Sequence, residues 1–400
     1  MQSSYEDYIE QLDSELLELP DQEDLDGAAL GLIRLQEIYL LPPENITKGT
    51  LTGKPSPLNP DEAYHLARVA YEYEKFQHAF LWAYESLKQK KRGVTSEVSF
   101  KDVLTVLSSS SYKFGQLPLA VFFTEQLLKL DPTDEQVRYV LKHYKLLKEL
   151  RGHIPSPNMF TLTDPIVSSY EALCRGEDIK KTPKRQRALY CRYSTGGGNP
   201  RLIYAPVKEE EESDNPPIIR YYDVLSEKEI EILKSLSRPK RLCINGNCAA
   251  LNDEEDPVIG RVNQRIADIT GLDMESSELL QVANYGIGGR FEPHYDAKVK
   301  FRENFQRKFV LFLSRMATVL IYLSDVEVGG ATVFPEVGVA LKPQKGSAVL
   351  WFNLLRNGRM DDNALHAGCP VFIGNKWIAT KWFRERGQEF RRPCSLSESE

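Results

Sequence analysis

The sequence predicts an α+β chain of two unlike parts: an all-α, tetratricopeptide-like unit, followed by a β-sandwich or a jelly roll (double-stranded β-helix) flanked by helices. Three observations carry this. Two similar blocks between residues 59 and 150 place apolar and small residues at three-and-four spacing, each reading helix, short turn, helix. From residue 218 onward, short runs rich in Val, Ile, Tyr, Phe and Trp are separated by Gly and Pro turns. Between the two lies an irregular stretch of prolines, charge blocks and the triplet Gly196-Gly197-Gly198. With 400 residues, 42% of them apolar, the chain can bury more than one core. Its net charge of −6 supplies no basic field for nucleic acid. No apolar run nears the roughly twenty residues that span a bilayer.

In chain order, residues 1–57 read as a truncated helical segment. The start is acidic and helical in pattern. The amphipathic stretch GAALGLIRLQEIYLL follows, closed by Pro42-Pro43, and then a polar linker. Residues 58–152 hold DEAYHLARVAYEYEKFQHAFLWAYESLKQ, a break at Gly93, DVLTVLSSSSYKFGQLPLAVFFTEQLLKLDP and one more helix, or two and a half repeats around a groove. Residues 153–216 read as linker, with a basic cluster (Lys180, Lys181, Lys184, Arg185, Arg187) and an acidic run at 209–212, both expected in solvent. Residues 217–400 open with a strand, the helices SEKEIEILKSL and DPVIGRVNQRIADITGL, and then the strands ELLQVANY, TVLIYLS, ATVF, SAVLWF and KWIATKWF.

Signals of compartment conflict. The N-terminus, MQSSYEDYIEQLDSELLEL, has neither a basic start nor an apolar core, which taken literally is cytosolic. The six cysteines include no CxxC pair and are even in number, which suits an oxidising compartment. The sequon Asn45-Ile46-Thr47 would be glycosylated only in the secretory pathway.

Of six histidines, only His294 and His366 fall in the β-rich part. His294 and Asp296 stand two apart at the end of a strand-like run, so they share a face and can grip one metal ion together. With His366 from a later strand they make two histidines and one carboxylate, the facial triad of non-haem Fe(II) oxygenases. Taken alone, HxD reads more readily as a polar turn with a solvated Asp, and it is the surroundings that favour a metal ligand pair. Lys376 sits ten residues beyond His366 in a strand pattern, where a buried cation calls for an anion such as a dicarboxylate co-substrate. A strand-end lysine reaching solvent is the alternative.

The runs QVANYGIGGRFEPHYD, IYLSDVEVGGATVFPEVG, HAGCPV and NKW…KWFRERGQEFRRPC resemble the catalytic domain of the animal collagen prolyl 4-hydroxylase α subunits. The likeness is dense over residues 279–393, weaker upstream, and extends over the repeats as the family's peptide-substrate-binding domain. It implies an Fe(II)- and 2-oxoglutarate-dependent procollagen-proline 4-dioxygenase, with His294, Asp296 and His366 on iron. Lys376 and Tyr285 would bind the distal carboxylate of 2-oxoglutarate, although Tyr285 also suits a core strand position. Arg315 and Trp382 match substrate-peptide contacts, where a surface arginine and a core tryptophan are the alternatives. Tyr112 and Tyr144 are the groove candidates for a polyproline peptide, or else half-buried packing residues. The resemblance further implies disulfides Cys174–Cys191 and Cys369–Cys394, with no partner assigned to Cys243 or Cys248. It implies ascorbate as cofactor, protein disulfide isomerase as β subunit of a heterotetramer, procollagen chains as substrate, and the endoplasmic reticulum lumen as site. The C-terminal SLSESE is not a KDEL-type signal, so retention would come from the partner.

The chain departs from the family's pattern in four places. Arg384 replaces a histidine linked to catalysis through co-substrate handling, and an arginine cannot act as a neutral imidazole. SSSSY replaces a segment richer in tyrosine. Residues 242–258 are shorter than their counterpart, and FVLFL stands within residues 301–313 where relatives have a polar loop. The N-terminal region lacks a secretory signal and is short, so translocation and dimerisation are open. Two rivals follow: a dioxygenase of non-collagen proline-rich peptides, and a non-catalytic adaptor for such peptides.

Overall fold

The chain divides into units 1–165 and 166–400 in a computed structural model that describes residues 20–48, 58–151, 158–160, 162, 169–177, 189–238, 240, 248–297 and 315–397. The described part of the first unit is helical. Helix α1 (Gln22–Tyr39) starts on a capping box between Asp21 and Asp24, and the short α2 (Pro43–Thr47) starts on Pro43, which has no N–H to lose at that position. Helix α3 (Pro60–Glu72) repeats the device: Asn59 accepts from the Asp61 and Glu62 N–H groups, and Glu62 reaches back to the Asn59 N–H at 2.7 Å. Helices α4 (Phe76–Lys91), α5 (Phe100–Lys113), α6 (Leu117–Leu130) and α7 (Glu135–Arg151) follow. The pairs α3–α4 and α5–α6 are the two helical hairpins expected, and α7 is the half repeat.

Ala63, Ala67 and Ala70 of α3 and Ala79 and Ala83 of α4 let those helices approach closely around Phe80, Trp82 and Leu107. Ala29 and Ile33 of α1 belong to the same core, and Gln36 accepts a 2.9 Å bond from the Trp82 indole. The described residues of the segment 1–57 thus pack with the repeats. Asn45 is exposed on α2.

The second unit contains α8 (Ser169–Cys174), β1 (Cys191–Ser194), α9 (Pro200–Tyr204), β2 (Val207–Asp214), β3 (Pro217–Tyr222), α10 (Glu227–Ser237), β4 (Cys248–Leu251), α11 (Pro257–Thr270), β5 (Leu280–Tyr285) and β6 (Phe291–His294). After these come β7 (Arg315–Tyr322), β8 (Val328–Gly329), β9 (Thr332–Phe334), β10 (Val339–Leu341), β11 (Ala348–Phe352), β12 (His366–Gly368), β13 (Val371–Ile373) and β14 (Lys376–Arg384). An eight-stranded sheet in the order β1-β2-β3-β11-β7-β14-β5-β4 faces a four-stranded one, β10-β9-β12-β6, as a jelly roll, with a small β13-β8 pair beside them.

Period-two alternation gives the large sheet two buried faces. Ala317, Val319 and Ile321 of β7 join Leu233 of α10 and Ile259 and Ile266 of α11 in one core. The intervening Leu320 and Tyr322 join Phe334, Val339, Trp351 and Ile378 between the sheets. The apolar runs of TVLIYLS and SAVLWF are therefore continuous because both faces are covered.

Two expectations are corrected here. The acidic run at 209–212 is strand β2, not solvated linker: Glu209 is buried against Arg192 and Glu212 pairs with Arg220 at 2.6 Å. Carboxylates alternating between faces meet arginines on both neighbouring strands, so the charges offset one another across the ladder. The disulfide is Cys174–Cys369, and Cys191 and Cys394 are free and exposed. Helix α8 packs on β9 and β10 of the small sheet, which brings Cys174 beside the residue following β12, at a Cα–Cα distance of 5.5 Å. Cys191 instead begins β1 at the far edge of the large sheet, opposite Glu210. Cys248 is also disulfide-bonded. Cys243, the basic cluster at 180–187 and the FVLFL run lie outside the described residues.

Candidate active site

Strands β6 and β12 pair so that His294 and His366 are directly opposite, with ring centroids 4.3 Å apart, and Asp296 follows two residues after the end of β6. The ligand atoms of the three side chains all lie within 4.8 Å of one another. Each imidazole turns Nδ1 to a backbone carbonyl, His294 to Glu292 at 2.7 Å and His366 to Ala364 at 2.9 Å. A carbonyl only accepts, so Nδ1 carries the hydrogen and Nε2 keeps its lone pair for a metal. Burial of His366, between Trp351 and Phe334, pushes its pKa down and favours the neutral ligand form.

Burial opposes the charge on Asp296, but the flanking His294 and His366 side chains and the Thr318 hydroxyl outweigh it and hold the carboxyl below its ordinary range. Thr318 donates to Asp296 Oδ2 at 2.6 Å and the Trp382 indole donates to the same oxygen at 3.0 Å. Two imidazoles and one ionised carboxylate, on one side of a common point, fit Fe(II).

Lys376 begins β14 and is buried; among the described residues no carboxylate pairs with it. Its ammonium makes a long 3.4 Å contact to the Thr332 hydroxyl and lies 5.8 Å from the Tyr322 ring centroid. Gly368, two residues beyond His366 on β12, lies close by: a Cβ there would stand 3.8 Å from Lys376 Nζ, in ordinary van der Waals contact. Burial drags the Lys376 pKa down to about 7. Tyr285 faces Lys376 in the β5–β14 register, and burial pushes its hydroxyl up to about 12, which keeps it a hydrogen-bond donor.

Sequence comparisons with known proteins point to one family. The prolyl 4-hydroxylase peptide-substrate-binding domain matches residues 60–149, the 2OG-Fe(II) oxygenase superfamily residues 280–384, and the prolyl 4-hydroxylase alpha-subunit N-terminal region residues 1–53. Prolyl 4-hydroxylase subunit alpha-2 of Gallus gallus is 42% identical over 412 residues, covering 95% of this chain and 77% of that protein. Subunit alpha-1 of Homo sapiens is 42% identical over 414 residues, with the same two shares. The chain belongs to the prolyl 4-hydroxylase α-subunit family. A solved viral collagen prolyl hydroxylase from Paramecium Bursaria Chlorella virus-1, in complex with 2OG, is 27% identical and covers 42% of this chain and 94% of its own, with a TM-score of 0.37.

This prolyl 4-hydroxylase α-subunit relative is a 2-oxoglutarate-dependent Fe(II) dioxygenase, and several further residues converge on its site. Arg315 stacks on Trp382, 3.7 Å from the ring centroid, and forks onto Glu278 with two 2.9 Å bonds. Arg384 reaches the same Glu278 at 3.4 Å. Both arginines are thus engaged with a carboxylate that sequence reasoning passed over. It also passed over Thr318 and Asn353, the amide that donates to Thr318 at 2.9 Å. The available signal was a lone hydroxyl at the head of the apolar run TVLIYL and an amide directly after SAVLWF, two polar groups bordering otherwise apolar runs.

In the helical unit, Tyr112 and Tyr144 are brought together as a stacked pair with centroids 4.6 Å apart, and His143 meets Tyr112 edge-on at 6.4 Å. The serines of SSSSY turn inward or back to their own helix: Ser108 shares a 2.6 Å bond with Thr124, and Ser111 donates to the Leu107 carbonyl at 2.6 Å.

Proposed function

We propose that the chain hydroxylates proline at C4 in the X-Pro-Gly repeats of procollagen, using 2-oxoglutarate and O2 and releasing succinate and CO2. The observation that carries this reading is Lys376. A buried ammonium without an anion is costly, and a dicarboxylate reaching from the metal ligands toward β14 supplies the missing charge. Lys376 and Tyr285 then hold the distal carboxylate, one by charge and one by its hydroxyl. His294, Asp296 and His366 hold Fe(II), which when bound supplies the O2 chemistry that oxidises proline while 2-oxoglutarate is decarboxylated. Phe334 and Trp351 wall His366 off from water. Two guanidiniums, Arg315 and Arg384, share Glu278 and hold Arg315 beside Asp296, so the charges of that cluster offset one another and Lys376 is left to meet the anionic co-substrate. Arg315 and Trp382 also present their stacked outer face to the peptide.

The Tyr112–Tyr144 stack suits a polyproline strand, whose extended form loses little freedom on docking. Ascorbate as the rescuing reductant, protein disulfide isomerase as β subunit in a heterotetramer, and residence in the endoplasmic reticulum lumen complete the reading. The Cys174–Cys369 bridge and the bonded Cys248 support an oxidising compartment, and exposed Asn45 is available for glycosylation there.

The test is turnover. The chain is co-expressed with protein disulfide isomerase and given Fe(II), 2-oxoglutarate, ascorbate and a Pro-Pro-Gly repeat peptide. Succinate together with a one-oxygen gain on proline is expected. Succinate without peptide oxidation would turn the reading to proline-rich peptides other than collagen, which the inward serines of α5 favour. Neither product would leave the adaptor.

A further inference from the structure

The hydrogen bonds behind Asp296 have directions that the donor chemistry dictates. An indole N–H can only donate, and Trp351 Nε1 meets Asn353 Oδ1 at 2.9 Å, which fixes the orientation of that amide. Its Nδ2, also donor-only, therefore faces Thr318 Oγ1 at 2.9 Å. The Thr318 oxygen is then the acceptor, and its single proton goes to Asp296 Oδ2 at 2.6 Å. A second indole, Trp382 Nε1, donates to that same Oδ2 at 3.0 Å and is clamped from its face by Arg315. Two donors occupy both lone-pair directions of Oδ2. Oδ1 receives neither: its neighbours are His294 Nε2 at 3.6 Å and Arg315 Nη1 at 3.9 Å. His366 Nε2 lies 3.5 Å from Oδ2. Asn353, Thr318, Trp351 and Asp296 are all buried, so no solvent competes for these bonds.

We propose that Asn353 is a positioning residue that, through Thr318 and together with Trp382, reserves Asp296 Oδ1 for the metal and keeps the carboxylate a one-oxygen ligand. The consequence is coordination number. A carboxylate biting through both oxygens would take one of the three positions that a two-histidine, one-carboxylate set leaves open. Two strands of the large sheet set the relay, since Thr318 is on β7 and Asn353 follows β11, and their Trp351↔Thr318 register brings the pair together. This inference rests on the metal site proposed above, so its test is read on metal binding rather than on turnover.

The purified full chain is titrated anaerobically with Co(II), following the visible bands of the bound ion, and its fold is checked by circular dichroism. Thr318→Val keeps the shape and removes the proton. Asn353→Asp is isosteric but accepts from Thr318, turning the hydroxyl away from Asp296. Both are expected to weaken Co(II) binding by about 10-fold or more and to change the bands, as lost outer-shell partners do. Thr318→Ser, which keeps the hydroxyl, is expected to restore binding to about the wild-type level. Thr318→Val and Asn353→Asp proteins that fold, bind like wild type and show its spectrum would overturn the inference alone. A wild-type chain with no Co(II) site, indistinguishable from His366→Ala, would overturn the metal centre and this inference with it.

Discussion

The two ends of the site are built in opposite ways. At the metal end, both histidines and Asp296 already have their outer atoms bonded, to the Glu292 and Ala364 carbonyls and to Thr318 and Trp382. At the other end Lys376 is buried with a 3.4 Å contact to Thr332. The first is held in place by the protein before any ligand arrives; the second, on the function proposed above, is completed by the co-substrate. The difference teaches that rigidity can be assigned to the group that must keep its geometry and withheld from the group that must recognise a charge.

Four experiments break or sharpen that contrast. Asp296→Ala removes the hub of the metal end and is expected to abolish turnover while peptide binding by the helical unit persists. Unchanged succinate production would sink the iron assignment. Lys376→Met addresses the other end. It is expected to raise the KM for 2-oxoglutarate about 10- to 100-fold, the worth of a charge-assisted hydrogen bond. Because it also removes a lone buried cation, the ligand-free protein should melt higher than wild type and lose most of its stabilisation by 2-oxoglutarate. A lower melting point would show that the lysine was already satisfied.

The third prediction concerns pH. The Lys376 pKa is about 7 in the folded chain, below its ordinary value near 10.4, so between these two pH values the unfolded chain binds more protons and stability rises with pH. From this group the slope is at most about 1.4 kcal/mol per pH unit. The penalty is fully present below pH 7, and saturating 2-oxoglutarate should flatten the trend. Denaturation midpoints across that window, with and without the co-substrate, measure it. The smallest effect is expected away from both ends: Tyr112→Ala should weaken a proline-rich peptide several-fold, about 1 kcal/mol for a lost aromatic stack, with no change in the KM for 2-oxoglutarate. Equal loss of both would contradict the division of labour.

Much of this was legible in the sequence, for reasons that also explain what was not. His294, Asp296 and His366 could be found because a strand's period of two and the scarcity of histidine single them out, and Lys376 because a cation within a strand pattern calls for an anion. Thr318, Asn353 and Glu278 depend on which strands lie side by side and in what register, and no spacing along the chain encodes that. The acidic run at 209–212 was misread because its arginine partners stand on β1 and β3, not within the run. The cysteine pairing failed similarly. Cys174 and Cys191 are near in sequence, but α8 lies on the small sheet and β1 on the edge of the large one.

The Cys174–Cys369 bond closes a ring across a separation of 195 residues, and all three metal ligands lie inside it while Lys376 lies outside. A protease that cuts this ring once, anywhere between those cysteines, leaves both fragments on one covalent thread. The nicked chain would run as a single species on a gel until reductant is added. Damage to any exposed loop of the ring therefore need not release the histidines from one another.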